Sequence, residues 1–443
     1  MEYYRRLILL ALPMVFQHTV TISLNLIDNV MVGRLGAYAL AAVGSANQIF
    51  SIYEMILFGL FSGAAVLVSQ YFGAKDYDKV KKIVGMDILI GVSVGVLTVL
   101  LIQCFAPQIL SFFASEKEVI GLGTEYIRIA SLTYLVMGVS FAISFNCRAL
   151  QTMKYPAVIS CCSLLVNTLL NYILIYGNFG CPALGVRGAA IATLAARVIE
   201  LTALITYLAL DKSHPLHGHL REFKGFTSDL FQIMLRTAMP VLISEGGWAV
   251  GVALVFAAYG KIGAEALAVM QAANTVCGLC QCTMFSLGNA SAALTGEALG
   301  QHNPTLAYEN GKKYLKVQVM VNAVITMVIL LLRRPVAILF DFDSATSELL
   351  MLAMAAFAFT QIPRMMAYSV QCGILRAGGD TFFCMVVELT CNLVIEVILA
   401  YFSVLILHFP LHLCLFVASF GNILKAVVEF RRFFSRKWIN IMV

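Results

Sequence analysis

The stretch "GRLGAYALAAVGSAN" (Gly33–Asn47) returns later in the chain as "GKIGAEALAVMQAAN" (Gly260–Asn274), with eight of fifteen positions identical at an offset of 227 residues. The same offset pairs Pro13 with Pro240, Phe58 with Phe285, Leu60 with Leu287, Ala65 with Ala292, Leu67 with Leu294 and Gly73 with Gly300. It also sets Glu54 opposite Gln281 and His18 opposite Glu245. Near an offset of 228, "RAL" at Arg148 meets "RAG" at Arg376. A register held across glycine, proline, asparagine and charged positions marks an internal duplication rather than shared apolar composition.

The chain has 443 residues, of which 60% are hydrophobic and 12% charged, and its mean hydropathy is +0.87. A bilayer-spanning helix needs roughly 20 mostly apolar residues. Twelve such runs are predicted, at 7–32, 39–72, 83–106, 121–149, 155–176, 184–210, 230–259, 265–299, 314–339, 347–377, 380–404 and 409–433. They lack the alternation of barrel strands, so backbone groups in lipid must be satisfied within helices. The reading is an all-α polytopic membrane protein.

The repeat offset covers six spans, an even number, so both copies have the same topology. Two pseudo-symmetric six-helix lobes follow, 1–210 and 230–443. The polar segment "DKSHPLHGHLREFKGFTSD" (211–229) links them, and a basic tail closes the second. With the N-terminus in the cytoplasm, twenty Lys and Arg residues fall on that side and six on the other. Both termini are therefore expected inside. The net charge of +6 is an orientation signal, not a nucleic-acid patch. "MEYYRRLILLALPMVF" is taken as a retained first span, because its apolar run continues without a small-residue cleavage site.

Catalytic chemistry finds no support. There is no paired acidic metal motif, no nucleophile with base and orienter, and no phosphate-binding glycine loop that would imply ATP. "CGLC" (Cys277–Cys280) lies within a span and reads as packing. The histidines of "HPLHGH" read as part of a solvated linker. No cofactor is expected beyond a coupling ion, and the partners expected are small organic molecules and lipids around a monomer.

The polar residues inside spans carry the functional signal, because a charge in hydrocarbon costs several kcal/mol. Asp28 follows about twenty uncharged residues. Gln17, Thr21 and Asp28 share one helical face. Asn167 and Asn171, four apart in span 5, share another, and Thr193 lies in span 6. One carboxylate, two amide oxygens and a hydroxyl suit a hard cation such as Na⁺, while the same carboxylate suits a proton. Asn47, Ser51 and Glu54 lie on one face of span 2, and Gln271, Asn274 and Gln281 on one face of span 8. These faces are expected to line a central substrate cavity. Arg128, Arg197, Arg364, Asp87, Glu200, Glu388 and Glu396 are expected to be salt-bridged, snorkelling or between the lobes.

Several strings together make the chain recognisable. They are "ALPMVF…LIDNVMVGRLG", "VSQYFGAKDYDKVKK", "VNTLLNYILIYGNFGCPALGVRGAAIAT", "MPVLISEGGW", "NASAALTGEALG" and "GILRAGGDT". Across essentially its whole length the chain resembles the multidrug and toxic compound extrusion (MATE) family of cation-coupled antiporters, in the bacterial cytoplasmic membrane. The resemblance implies a first-lobe cation site at Asp28, Asn167, Asn171 and Thr193. The archaeal pattern has aspartate where this chain has Asn171. It also implies a functional acid at Glu245 in span 7. A further acid, Asp380 in "RAGGD", matches one implicated in cation binding in one bacterial branch, although its place at a span edge equally suits a helix N-terminus. The implied function is export of organic, mainly cationic, compounds against Na⁺ or H⁺ by alternating access. The alternative on the same fold is a flippase or exporter for a lipid-linked or anionic metabolite, which the mainly acidic character of the intramembrane groups disfavours.

Overall fold

Apolar runs set the spans, but the helices continue past them wherever polar side chains find local partners. In the computed structural model α1 is Glu2–Gly33, α2 Ala37–Gly73 and α3 Tyr77–Leu110. Next come α4 (Lys117–Ala130), α5 (Leu132–Ala149), α6 (Lys154–Tyr176), α7 (Gly185–Leu210), α8 (Ser228–Gly260), α9 (Ala264–Gly300) and α10 (Pro304–Phe340). The chain continues through α11 (Ser344–Val370), α12 (Thr381–Glu388), α13 (Val397–Leu405), α14 (Leu411–Ala418) and α15 (Phe420–Phe434). The structure describes residues 2–113, 116–219, 221–225, 227–340 and 344–443. Within them, the side chains of Ala37, Ala264, Thr275, Val276, Leu279, Cys280, Leu339 and Phe340 lie outside the description.

Among the described residues every regular element is helical, and the twelve predicted spans are all present as helices. Eleven are long and apolar enough to cross a membrane by length and composition. The twelfth, α9, has 37 residues, but Gln271, Asn274, Gln281, Asn289 and Glu297 dilute its apolar content. Helix α10 starts ten residues before its apolar run and carries a Glu309–Lys312 ion pair at 2.6 Å across one turn. Asp76 caps α3 by accepting from the Lys79 backbone N–H at 3.1 Å, satisfying one free donor of the first turn. Span 4 is two helices, α4 and α5, and span 12 is α14 and α15. In span 11 a π-helix, Leu389–Glu396, joins α12 to α13.

That π-helix settles the repeat register. Before it an offset of 228 pairs Arg148 with Arg376 and Val158 with Val386. Beyond it an offset of 229 pairs Leu164 with Leu393, Tyr172 with Tyr401, Ala189 with Ala418 and Glu200 with Glu429. Bonding from i to i+5 absorbs the added residue without ending the helix.

The chain divides into two compact units. One comprises Pro13–Val68 and Asp76–Leu235; the other comprises Met1–Leu12, Ser69–Lys75 and Arg236–Val443. In the first unit α6 packs along α7 and α3 along α5. In the second unit the buried core runs through Tyr259, Met270, Cys277, Phe357, Met365 and Leu411. Cys277 is thus a packing residue, whereas the Cys280 side chain lies outside the described residues. The C-terminal end of α2 belongs to this second unit. There Gly73 and Gly300, partners in the repeat, allow α2 and α9 to touch backbone to backbone. A Cβ on Gly73 would lie 2.1 Å from the Glu297 carbonyl oxygen, and one on Gly300 only 1.8 Å from that of Gln70.

The linker departs from the solvated loop expected of it. His214 is buried. Its Nδ1 accepts from the Leu216 N–H at 3.0 Å, its Nε2 lies 2.8 Å from Thr152 Oγ1, and its ring meets Tyr207 edge-on. Burial pushes its pKa down to about 4, against a smaller opposing pull from Asp211. The ring is apolar enough to fill a gap beside Cys147 while its two nitrogens satisfy local groups, which composition alone does not reveal.

Candidate ion and substrate site

In the first unit, α1, α2, α4, α5, α6 and α7 enclose a cavity of about 310 Å³. Asp28, Asn167, Asn171 and Thr193, taken from three separate spans, all line it. Asn167 is the hinge of the group. With its amide nitrogen facing Asp28, Nδ2 donates to Asp28 Oδ2 at 2.8 Å, and its oxygen accepts from the Thr193 backbone N–H at 3.2 Å. Turned the other way, its oxygen faces the carboxylate and accepts from Asn171 Nδ2 at 3.5 Å, while Nδ2 donates to Thr193 Oγ1 at 3.4 Å. The neighbours choose between the two orientations through their hydrogen-bonding needs.

Thr168, which the sequence pattern did not single out, donates to Asp28 Oδ1 at 3.4 Å. It follows Asn167 directly, so its role depends on how far α6 is rotated toward α1. Tyr176 steadies that packing by donating to the Met31 carbonyl at 2.8 Å. Asn171 is 3% exposed, and its Oδ1 has no hydrogen-bond partner among the described residues. A buried amide oxygen left bare beside a carboxylate is costly unless something else fills its valence.

Asn47, Ser51 and Glu54, on one face of α2, line this same cavity within the first unit. Arg197 also reaches it, held by Glu200 Oε2 at 2.7 Å. Tyr126 and Tyr134 contribute aromatic wall. Gln17, Thr21 and His18 are not among the lining residues. The Thr21 hydroxyl instead donates to the Gln17 carbonyl at 2.8 Å within α1.

The second unit has a smaller cavity of about 70 Å³, lined by Asn274, Gln361, Arg364, Glu396 and Asn422 among others. Through the repeat, Asn274 stands for Asn47, Glu396 for Asn167, Asn422 for Thr193 and the lining residue Val255 for Asp28. The carboxylate has therefore changed helix, and Arg364 lies 3.5 Å from it. Gln281 is not a lining residue here. Glu245 is committed elsewhere: Arg376 Nη1 donates to its Oε1 at 2.5 Å, and Arg376 Nη2 donates to Ser244 at 3.2 Å. Asp380 sits at the start of α12 and accepts two bonds from Arg432, at 2.7 and 3.1 Å. Its side chain makes no capping bond to the first turn of α12.

The family model MatE matches residues 13–173 and 248–402, once in each half of the chain. A probable multidrug resistance protein, YoeA of Bacillus subtilis, is 26% identical over 332 residues, covering 74% of this chain and 71% of that protein. A probable multidrug resistance protein NorM of Thermotoga maritima is 24% identical over 384 residues, covering 86% and 81%. A MOP superfamily transporter from Pyrococcus furiosus superposes with a TM-score of 0.89 at 20% identity, covering 98% of this chain and 96% of that one. An outward-facing multidrug resistance MATE family transporter gives 0.88 with the same coverage. YoeA and NorM are bacterial multidrug resistance proteins by name, and both solved structures are of transporters. With the two-lobe, twelve-span helical fold described above, the chain belongs to the MATE family of multidrug efflux transporters.

Proposed function

We propose that the protein exports organic cations in exchange for inward movement of Na⁺ or H⁺, with Asp28 as the coupling carboxylate. The observation that carries this reading is the contact between Asn167 and Asp28 Oδ2, at 2.8 Å, beside the bare oxygen of Asn171. With nitrogen inward, Asn167 stabilises the ionised carboxylate. With oxygen inward, it accepts the proton of a carboxylic acid or joins the carboxylate, Asn171 and Thr193 around a small cation. The oxygen donor set fits a hard monovalent ion, and a turn of one amide links its arrival to the packing of α6 against α7.

Two carboxylates, Asp28 and Glu54, share the cavity with aromatic faces. That combination favours an organic cation through charge and cation–π attraction. Neutralising Asp28 removes counter-charge from the substrate, which favours release. The two equivalent lobes suit alternating access by rocking, and no ATP-binding element enters the scheme. Arg197 at the cavity wall is the observation that favours the second reading, an anionic or lipid-linked cargo; its engagement with Glu200 weakens it.

The test is export of a fluorescent organic cation from proteoliposomes under Na⁺ and H⁺ gradients imposed separately, for wild type and Asp28→Asn. Export driven by one gradient and lost in the variant supports the reading and names the ion. Undiminished coupled export by Asp28→Asn refutes it.

A further inference from the structure

The duplication exposes a difference between the lobes that none of the roles above uses. In the first unit Glu200 is satisfied twice: Ser160 Oγ donates to Oε1 at 2.6 Å and Arg197 Nη1 to Oε2 at 2.7 Å. The second unit retains the acid as Glu429 but replaces both donors. At the repeat offsets Ser160 becomes Glu388, Arg197 becomes Ala426, and Ala196 becomes Lys425.

Lys425 does not rescue Glu429. Its Nζ donates to Glu388 Oε2 at 2.5 Å, and Asn392 donates to Glu388 Oε1. Glu429 is 0% exposed, and both of its carboxylate oxygens lack a hydrogen-bond partner among the described residues. The charged groups facing it are Lys425 on its own helix, Glu388 from α12 and Arg376 at the end of the tenth span. Cys384 and Cys391 face it from span 11. Arg376 is in turn bound to Glu245. The cluster thus holds three acids, Glu245, Glu388 and Glu429, against two bases, Arg376 and Lys425. One negative charge is left over, buried and without a donor. Such a charge costs several kcal/mol unless it is neutralised.

We propose that Glu388, Lys425 and Glu429 form a proton-binding site in the second lobe, with the proton resident on Glu429 when Glu388 is paired to Lys425. A proton fits better than a metal cation. It needs no cavity and neutralises the excess charge in place, whereas a metal ion would face the Lys425 ammonium and the Arg376 guanidinium. The two acids titrate as a coupled pair, so removing the charge of Glu388 frees Lys425 to pair with Glu429 and the proton leaves. The site is independent of the Asp28 reading, and its test does not depend on transport.

The experiment is infrared spectroscopy of the full-length protein in lipid nanodiscs at neutral pH, for wild type, Glu429→Gln, Glu388→Gln and Asp28→Asn. The wild-type minus Glu429→Gln difference is expected to contain one carboxylic-acid C=O band. The same band is expected to be missing in Glu388→Gln and present in Asp28→Asn. Its persistence in Glu429→Gln or Glu388→Gln, or its loss in Asp28→Asn, overturns the assignment. Thermal unfolding supplies a second measurement. Wild type is expected to lose stability from neutral to alkaline pH more than Glu429→Gln, which mimics the protonated acid. Equal losses also overturn the proposal.

Discussion

Replacing Gly300 by alanine should separate the C-terminal end of α2 from α9. The new Cβ would stand 1.8 Å from the Gln70 carbonyl oxygen, 2.7 Å from its carbon and 3.0 Å from the Ala74 nitrogen. All three are backbone atoms, so no side-chain rotation relieves the clash. Restoring even a tight contact of 3.0 Å moves α2 by about 1.2 Å. That displacement acts on Gln70, whose Nε2 donates to the carbonyls of Ala377 at 3.1 Å and Asn440 at 3.2 Å. Its Oε1 accepts from the Met442 N–H at 2.9 Å. Overpacking costs about 1–3 kcal/mol, and the three hydrogen bonds contribute about 1 kcal/mol each. Alanine's better helix propensity returns up to about 1 kcal/mol. The net loss is about 3 kcal/mol or more. The assay is thermal unfolding in detergent together with hydrogen exchange at the Met442 amide. Gly44→Ala is the control, since nothing lies within 4 Å of its added Cβ. Unchanged stability and slow exchange in Gly300→Ala would refute the reasoning.

Three other outcomes follow from the site geometry. Glu245→Gln removes the carboxylate that Arg376 binds at 2.5 Å and is expected to destabilise the protein by about 1.5–3 kcal/mol, the worth of a hydrogen bond between charged groups. Glu245→Gln combined with Arg376→Met should recover much of that, and a double variant as unstable as the single one would contradict the pairing. Thr168→Val removes one donor to Asp28 and is expected to weaken coupling in the proteoliposome assay less than Asp28→Asn does; an equal loss would give Thr168 a larger part than its 3.4 Å contact supports. His214 is neutral in the folded linker because burial depresses its pKa to about 4. Protonation of the unfolded form therefore costs linker stability as pH falls below the ordinary histidine value of about 6.5. Proteolysis of the linker should accelerate from pH 7 to pH 5 in wild type and stay level in His214→Gln; parallel acceleration in both would exclude His214 as the cause.

Much of the first-lobe site was legible because its elements are local. Asn167 and Asn171 share a face by spacing alone, and an aspartate deep in an apolar span announces itself. Thr168 was missed because it neighbours Asn167 on a different face, so its contact depends on helix rotation. Glu245 shows what residue order leaves open: its carboxylate meets Arg376, 131 residues away, a pairing that no local pattern announces. Arg376 had already appeared in the repeat as the partner of Arg148, but nothing in that match says which acid it meets.

Sequence by itself determined the twelve apolar spans, the duplication and the oxygen-rich group around Asp28, since hydropathy, residue order and helical periodicity are properties of the chain alone. Tertiary structure decided which buried charge meets which. Helices apolar on every side have no strong amphipathic face to set their rotation, so packing chooses the partners. The π-helix in span 11 shifts the register by one residue, setting Glu396 in the place of Asn167. On the helix it packs against, the same repeat register leaves Glu429 without the two donors that satisfy Glu200.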